Sequence, residues 1–319
     1  MQEGVDIKSP QHTDSPLSFL WLEITGRCNL SCVHCYAESG PFGQADRLGT
    51  ERWLSLLAEG ADLGVQQVQF IGGEPTIHPN FSTLVAAASD LGLGVEVYSN
   101  LTHIRNGLWN LFEERQVKIA TSFYSRHENA HDAVTQGRGS QARTLSNIRT
   151  AIERGLQLRV GIVDINRNQD VDGTVDSLRD IGVRHIRIDR TRGIGRAGTQ
   201  DSKASAEELC GHCAKGRLAI DPAGWAYPCV FSRWLPAGNV GESRLEDIAS
   251  SPTLAKIRAD LTSVFHQRRL VTSGGPEDEP CDPDDCDPDD GGPCDPLTPC
   301  EPIASCIPLC DPLPCIPHA

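Results

Sequence analysis

Three cysteines lie close together near the start of the chain, in the run Cys28-Asn-Leu-Ser-Cys32-Val-His-Cys35. Three thiolates on one tight loop can hold three irons of a cubane iron–sulfur cluster. The fourth iron then lacks a protein ligand and offers a substrate or cofactor a place to coordinate. Zinc is the alternative. A structural zinc site closes with four ligands, often in paired two-residue spacings. Spacings of three and then two intervening residues fit that poorly, although His34 could serve as a ligand. A second group holds Cys210, Cys213 and Cys229, and a third set of seven lies at 281, 286, 294, 300, 306, 310 and 315. Clustered cysteines in a reducing compartment point to metal ligands rather than disulfides.

The elements that must carry these residues follow from periodicity. Apolar runs of strand length occur at 18–24, 65–71, 94–99, 117–122, 157–164 and 184–189. Helical spacing occurs between them at 50–63, 80–92, 106–114, 142–154 and 172–181, with Thr50 and Asn80 at cap positions. Six strands with intervening helices predict right-handed crossovers and a parallel sheet that closes partly or fully into a (β/α)6 barrel. The chemistry of such a fold sits at the C-terminal ends of its strands. The first cysteine loop follows the first strand, as that rule requires. From about residue 200 the pattern changes. Residues 217–221 and 225–230 predict a β-hairpin around Pro222-Ala223-Gly224, and 244–262 an amphipathic helix interrupted near Ser251-Pro252. Cys213 precedes the first hairpin strand and Cys229 ends the second, so both can approach one end.

Composition divides the same way. The 319 residues carry a formal charge of −14. Residues 274–319 contain 12 Asp and Glu, 12 Pro and 7 Cys but no Lys or Arg. The remaining 273 residues carry only −2, with 31 acidic and 29 basic side chains. Bulk electrostatics therefore exclude a basic nucleic-acid-binding body. The tail lacks periodicity and apolar mass, and its proline density forbids helix and central strand, so it is expected to be disordered. Residues 1–16 are polar and contain no signal-like apolar core. No stretch is long and apolar enough to span a membrane. The chain is expected in the cytoplasm. The expected division is an extension at 1–16, a barrel at 17–200, a small domain at 201–265, and a linker with tail at 266–319.

With these residues in place, the chain resembles the radical S-adenosylmethionine (SAM) superfamily. The cysteine triplet matches, and His34 stands where the family usually has an aromatic or ring residue. Gly72-Gly73-Glu74-Pro75 follows the second strand, where the family sets exposed carbonyls and a carboxylate against the SAM amino group. Ser99 and Asn100 end the third strand, where the family contacts the SAM ribose or carboxylate, and Ser122 ends the fourth as a further polar contact. Gly193-Ile-Gly-Arg-Ala-Gly198 has the spacing of a nucleotide loop, but no helix pattern starts in it. A barrel-closing loop is the expectation there. Cys213, Gly224 and Cys229 resemble the opening of SPASM/twitch extensions, which bind auxiliary 4Fe-4S clusters, with Cys210 as a third thiolate. The dense cysteine run that usually follows is missing from 230–280, so one auxiliary cluster is expected. Its fourth ligand is open among a tail cysteine, substrate and water. A structural zinc hairpin is the alternative.

The resemblance implies reductive cleavage of SAM to methionine and a 5′-deoxyadenosyl radical that abstracts a hydrogen atom from substrate. It implies a 4Fe-4S cluster and SAM as cofactors, and a flavodoxin or ferredoxin as electron donor. Residues 121–147 look like the corresponding stretch of peptide-modifying members, so the expected substrate is a ribosomally made peptide, altered by crosslinking, thioether formation or epimerisation. Residues 1–16 are too short for a leader-binding domain. One alternative is a dehydrogenase or epimerase of an aminoglycoside or other small metabolite, for which Cys210 is a candidate hydrogen donor. The other is a zinc-binding interaction protein without turnover.

Overall fold

The computed structural model describes residues 17–165, 169–198 and 205–272. Residues 1–16 and the acidic tail with its seven cysteines lie outside them. Six parallel strands form where the apolar runs predict them: β1 (Phe19–Thr25), β2 (Gln67–Gly72), β3 (Gly94–Tyr98), β4 (Lys118–Ser122), β5 (Leu158–Asp164) and β6 (His185–Arg190). The helices are α1 (Gly49–Asp62), α2 (Phe81–Asp90), α3 (Asn106–Glu114), α4 (Glu128–Thr135), α5 (Ser140–Glu153) and α6 (Val171–Asp180). Alternation along each strand divides its side chains between two faces. Leu20, Leu22 and Ile24 on β1 and Val68 and Phe70 on β2 are fully buried against Trp53, Leu56 and Leu57 of α1 and Phe81 and Leu84 of α2. An edge-to-face ring chain, Phe70–Phe81–Phe112, ties β2, α2 and α3 together at centroid distances of 6.2 and 6.3 Å.

The opposite face, toward the inside of the curved sheet, is polar. Glu96 accepts hydrogen bonds from Arg159 Nε at 2.7 Å and Nη2 at 2.8 Å, and a third from Gln69 Nε2. The Arg159 guanidinium lies 5.4 Å from the Tyr98 ring centroid, and Tyr98 Oη is 2.9 Å from Ser122 Oγ. Gly161 leaves room for that phenol, since a Cβ there would stand 3.1 Å from Tyr98 Oη.

The hairpin is not the separate appendage that the change in pattern suggests. Its first strand, β7 (Arg217–Ile220), pairs in parallel with β1, so the same sheet continues through β8 (Trp225–Tyr227) to β9 (Gly238–Asn239). The order is β6-β5-β4-β3-β2-β1-β7-β8-β9, with antiparallel pairing only in the last two steps. The reason is that β1 would otherwise present an unpaired edge. Helices α7 (Leu245–Ala249) and α8 (Pro252–Thr272) break at Ser250-Ser251, as Pro252 requires. Among the described residues, no helix is long and apolar enough to cross a membrane.

The two cap expectations fare differently. Thr50 does not cap α1. Leu48 holds the N-cap position, and Asp46, two residues before it, reaches the helix start from outside, accepting from Leu48 N at 2.9 Å, Gly49 N at 3.2 Å and Trp53 Nε1 at 2.9 Å. Thr50 lies inside the first turn, and its Oγ1 accepts from Asn80 Nδ2 at 2.5 Å. Asn80 does stand at the N-cap position of α2, as expected, but its side chain is drawn to Thr50 and makes no capping hydrogen bond to the first turn.

Candidate active site

The cysteine loop leaves the C-terminal end of β1 and is anchored on three sides. Cys28 N donates to Gly40 O at 2.9 Å, and Leu30 N donates to Cys28 Sγ at 3.4 Å. Ser31 N and Val33 N donate to Thr135 O and Val134 O at the end of α4. From the far side, Arg196 grips the loop: its Nε donates to Cys32 O and its Nη2 to Ser39 O, both at 2.7 Å, and its backbone N to Cys35 O at 3.1 Å. The Gly193–Gly198 stretch is therefore a clasp on the cysteine loop. Gly195 has φ +61°, and a Cβ there would lie 2.4 Å from Cys35 O.

Gly72 and Gly73 are required by the same close approach. Gly72 has φ +134° and its Cβ would fall 2.3 Å from Thr25 O, while a Cβ on Gly73 would fall 2.1 Å from Arg27 O. Their segment is tied to the start of the cysteine loop by Gly73 N to Thr25 O at 2.6 Å and Glu74 N to Arg27 O at 2.9 Å. Glu74, Ser99 and Asn100 form one latch. Glu74 Oε1 accepts from Thr76 N, Thr76 Oγ1 and Ser99 Oγ at 3.1, 2.6 and 2.8 Å, and Oε2 from Asn100 N at 2.8 Å. Burial raises the Glu74 pKa, opposed by these donors. Its carboxylate is committed to the protein, so its part at the site is to join the ends of β2 and β3. Pro75 opens the single 3-10 turn Pro75–Ile77 beside it. Asn100 extends the latch outward, since its Nδ2 lies 3.7 Å from Cys28 Sγ and 2.8 Å from Asn29 Oδ1.

Electrostatics distinguish the loop residues. Burial, then the charge of Glu74, pushes the Cys28 thiol up to about 12. Burial and Cys35 do the same for Cys32. Holding them as thiolates needs a strong local positive charge, which bound iron supplies. His34 is lowered to about 4 by burial and by Arg196, so its ring is neutral at pH 7. Its Nδ1 is buried without a partner, and the ring stands edge-on to Tyr124 at 5.0 Å. Among the described residues, no three His, Cys, Asp or Glu side chains converge to hold one metal ion. A multi-iron cluster places one iron under each thiolate and does not need such convergence. The three clustered thiols, one buried and two half-buried, the glycine segment packed against them and the orphan nitrogen fit a cluster with an attached cofactor.

The second group is also assembled. Cys213 Sγ and Cys229 Sγ are 3.2 Å apart, and Cys210 hydrogen-bonds Cys213. Cys213 is held protonated by these two neighbours, while Cys229, which accepts from Cys213, is lowered. The group lies in a small apolar cluster with Leu209, Leu261 and Phe265. Cys210 thus stands with Cys213 and Cys229 in one group. The two groups are joined by an aromatic contact: Tyr36, next to Cys35, meets Phe231 edge-on at 5.1 Å. Arg233 lies 5.5 Å over the Tyr36 ring and pairs with the buried Glu23 of β1. Arg196, Tyr36, Phe231 and α4 were not marked by sequence. The signal in sequence near Arg196 is the glycine spacing around it.

Fold and site together define a partial barrel that carries a three-thiolate loop against a Gly-Gly-Glu cradle. Residues 22–188 match the radical SAM superfamily, and residues 210–287 match the SPASM iron–sulfur cluster-binding domain. The chain belongs to the radical SAM superfamily, whose cofactors are a 4Fe-4S cluster and SAM, and its SPASM domain implies auxiliary iron–sulfur binding. It is 27% identical to the sporulation killing factor maturation protein SkfB of Bacillus subtilis over 276 residues, covering 75% of this chain and 66% of SkfB. It is 30% identical to the PqqA peptide cyclase of Gluconobacter oxydans over 226 residues, covering 65% and 61%. The chain thus spans slightly under two thirds of the length of these relatives. Its fold resembles Streptococcus suis SuiB bound to S-adenosylmethionine, with a TM-score of 0.64 at 16% identity, covering 77% of this chain and 68% of SuiB.

Proposed function

We propose that this enzyme modifies a ribosomally made peptide at an unactivated carbon by radical SAM chemistry. The observation that carries the proposal is the packing of the cysteine loop directly onto Gly72-Gly73-Glu74 at the C-terminal ends of β1 and β2. The names of SkfB and the PqqA cyclase, a maturation protein and a peptide cyclase, support a peptide as substrate. When bound, the cluster and SAM supply a 5′-deoxyadenosyl radical on receipt of one electron from a flavodoxin- or ferredoxin-type donor.

The chain's own residues do the holding. Cys28, Cys32 and Cys35 are the cluster ligands. The backbone N–H groups of Gly73 and Glu74 are spent on the carbonyls of Thr25 and Arg27, which leaves the carbonyls of the Gly-Gly turn for the SAM ammonium. Glu74, Ser99 and Asn100 fix that turn against β3, and His34 Nδ1 offers the adenine a partner. Ser122, held by Tyr98, marks the far side of the site. Cys210, Cys213 and Cys229 hold an auxiliary cluster.

The test is incubation of the reconstituted, reduced enzyme and SAM with a short peptide encoded beside its gene. The expected product has either lost two hydrogens, as in a crosslink or thioether, or kept its mass with one residue inverted. An unaltered peptide, with turnover of an aminoglycoside instead, would refute the peptide assignment.

A further inference from the structure

Three segments surround the exposed Asn29 on the outer side of Cys28. They are the loop start 27–31, the turn 100–107 after β3, and residues 135–147 from the end of α4 into α5. Hydrogen bonds join them: Asn29 Nδ2 donates to Thr102 Oγ1 at 2.7 Å, Ser31 N to Thr135 O at 3.2 Å and Thr144 Oγ1 to Asn100 O at 2.9 Å. Their charge is one-sided. They contain Arg27, His103, Arg105, Arg138 and Arg143, all exposed, and no Asp or Glu. In a chain with 43 acidic and 29 basic residues, an acid-free rim of this size concentrates positive potential at one place. The nearby Asp132, whose carboxylate is turned onto Gly139 N, Ser140 Oγ and Gln141 N, subtracts one charge and leaves the rim with its four exposed arginines net positive.

We propose that this rim is the docking surface for an acidic one-electron carrier protein of the flavodoxin or ferredoxin class. Position favours that partner. Cys28 is 8% exposed, and its sulfur contacts two side chains of the rim segments, Asn29 Oδ1 at 4.0 Å and Asn100 Nδ2 at 3.7 Å. In the transfer the carrier is oxidised by one electron and the cluster held by Cys28 is reduced by one, with no bond made or broken. The inference rests on the radical SAM assignment above.

The experiment uses the reconstituted full chain and a bacterial flavodoxin. Arg105→Glu, Arg138→Glu and Arg143→Glu are combined in one variant, and affinity is measured calorimetrically at low and high salt. The expected result is an affinity at least about tenfold weaker for the variant at low salt, with most of the difference gone at high salt. Iron content and dithionite-driven SAM cleavage stay at the parent level, and Arg179→Glu with Arg184→Glu on another surface has no effect. Equal affinity of parent and triple variant for flavodoxin would overturn the proposal. So would a loss confined to binding of an acidic peptide, which would make the rim a peptide-docking face. Failure of the parent to cleave SAM with dithionite would instead refute the underlying assignment.

Discussion

At the scale of single residues, the site depends on close approaches that tolerate no added atom. Gly73→Ala places a methyl group 2.1 Å from Arg27 O, and Gly195→Ala one 2.4 Å from Cys35 O, both against backbone that cannot swing aside. Each substitution is expected to cost about 1–3 kcal/mol, read as a lowered denaturation midpoint, together with reduced iron uptake on reconstitution. Arg196→Ala removes two charge-assisted hydrogen bonds from the cysteine loop. At roughly 1.5–3 kcal/mol per bond to a charged group, the loop should lose its fixed shape. The checks are iron content per chain and protection of loop amides from hydrogen exchange. Arg196→Lys should restore little, because an ammonium cannot bridge two carbonyls as a guanidinium fork does.

At the scale of elements, the strands were legible because a parallel sheet covered by helices makes its strands nearly continuous apolar runs. Helix α4 was not. In Glu128–Thr135 only His131 and Thr135 are buried, so no apolar stripe marks it. Its importance lies in two backbone carbonyls that receive Ser31 N and Val33 N, a role that leaves no trace in residue type. The cap of α1 was missed for a related reason. Asp46 reaches the first turn from outside the periodic segment, where a more ordinary Thr50 stands at the expected place. The turn between α4 and α5 carries a pH prediction. Burial would raise Asp132, but the donors Gln141 N, Ser140 Oγ and Gly139 N outweigh it and hold the carboxyl below its usual 3.8. A folded-state pKa below the unfolded one stabilises above pH 3.8, and that contribution is lost as pH falls through the lowered value. Asp132→Asn should therefore flatten the acid limb of a stability–pH curve below pH 3.8 and leave its neutral region less stable than the parent's.

At the scale of the whole molecule, the sheet itself carries the arrangement. Because β7 pairs with β1, one continuous sheet carries both the hairpin beside Cys213 and Cys229 and the cysteine loop after β1, and Tyr36 meets Phe231 between the two cysteine groups. Sequence alone assigned the hairpin to a separate unit, since a pairing across nearly 200 residues has no local signal. The Glu23–Arg233 pair locks this junction. Arg233→Ala leaves a carboxylate that is 2% exposed without its counter-charge, at an expected cost of about 3–5 kcal/mol. Glu23→Gln in the Arg233→Ala background should recover much of it. The match to the SPASM domain runs to residue 287 and so includes Cys281 and Cys286. Replacing both with Ala should lower auxiliary iron while sparing SAM cleavage, if one of them completes the set begun by Cys210, Cys213 and Cys229.

The central claim is that the loop of Cys28, Cys32 and Cys35 carries a cluster that cleaves SAM. The direct measurement is 5′-deoxyadenosine formed after anaerobic iron–sulfide reconstitution and dithionite reduction, compared between the parent chain and Cys28→Ala, Cys32→Ala and Cys35→Ala. 5′-Deoxyadenosine and broad iron–sulfur absorbance are expected from the parent, and no cleavage from any of the three variants. A parent that takes up iron yet releases no 5′-deoxyadenosine, or a variant that still releases it, would contradict the account.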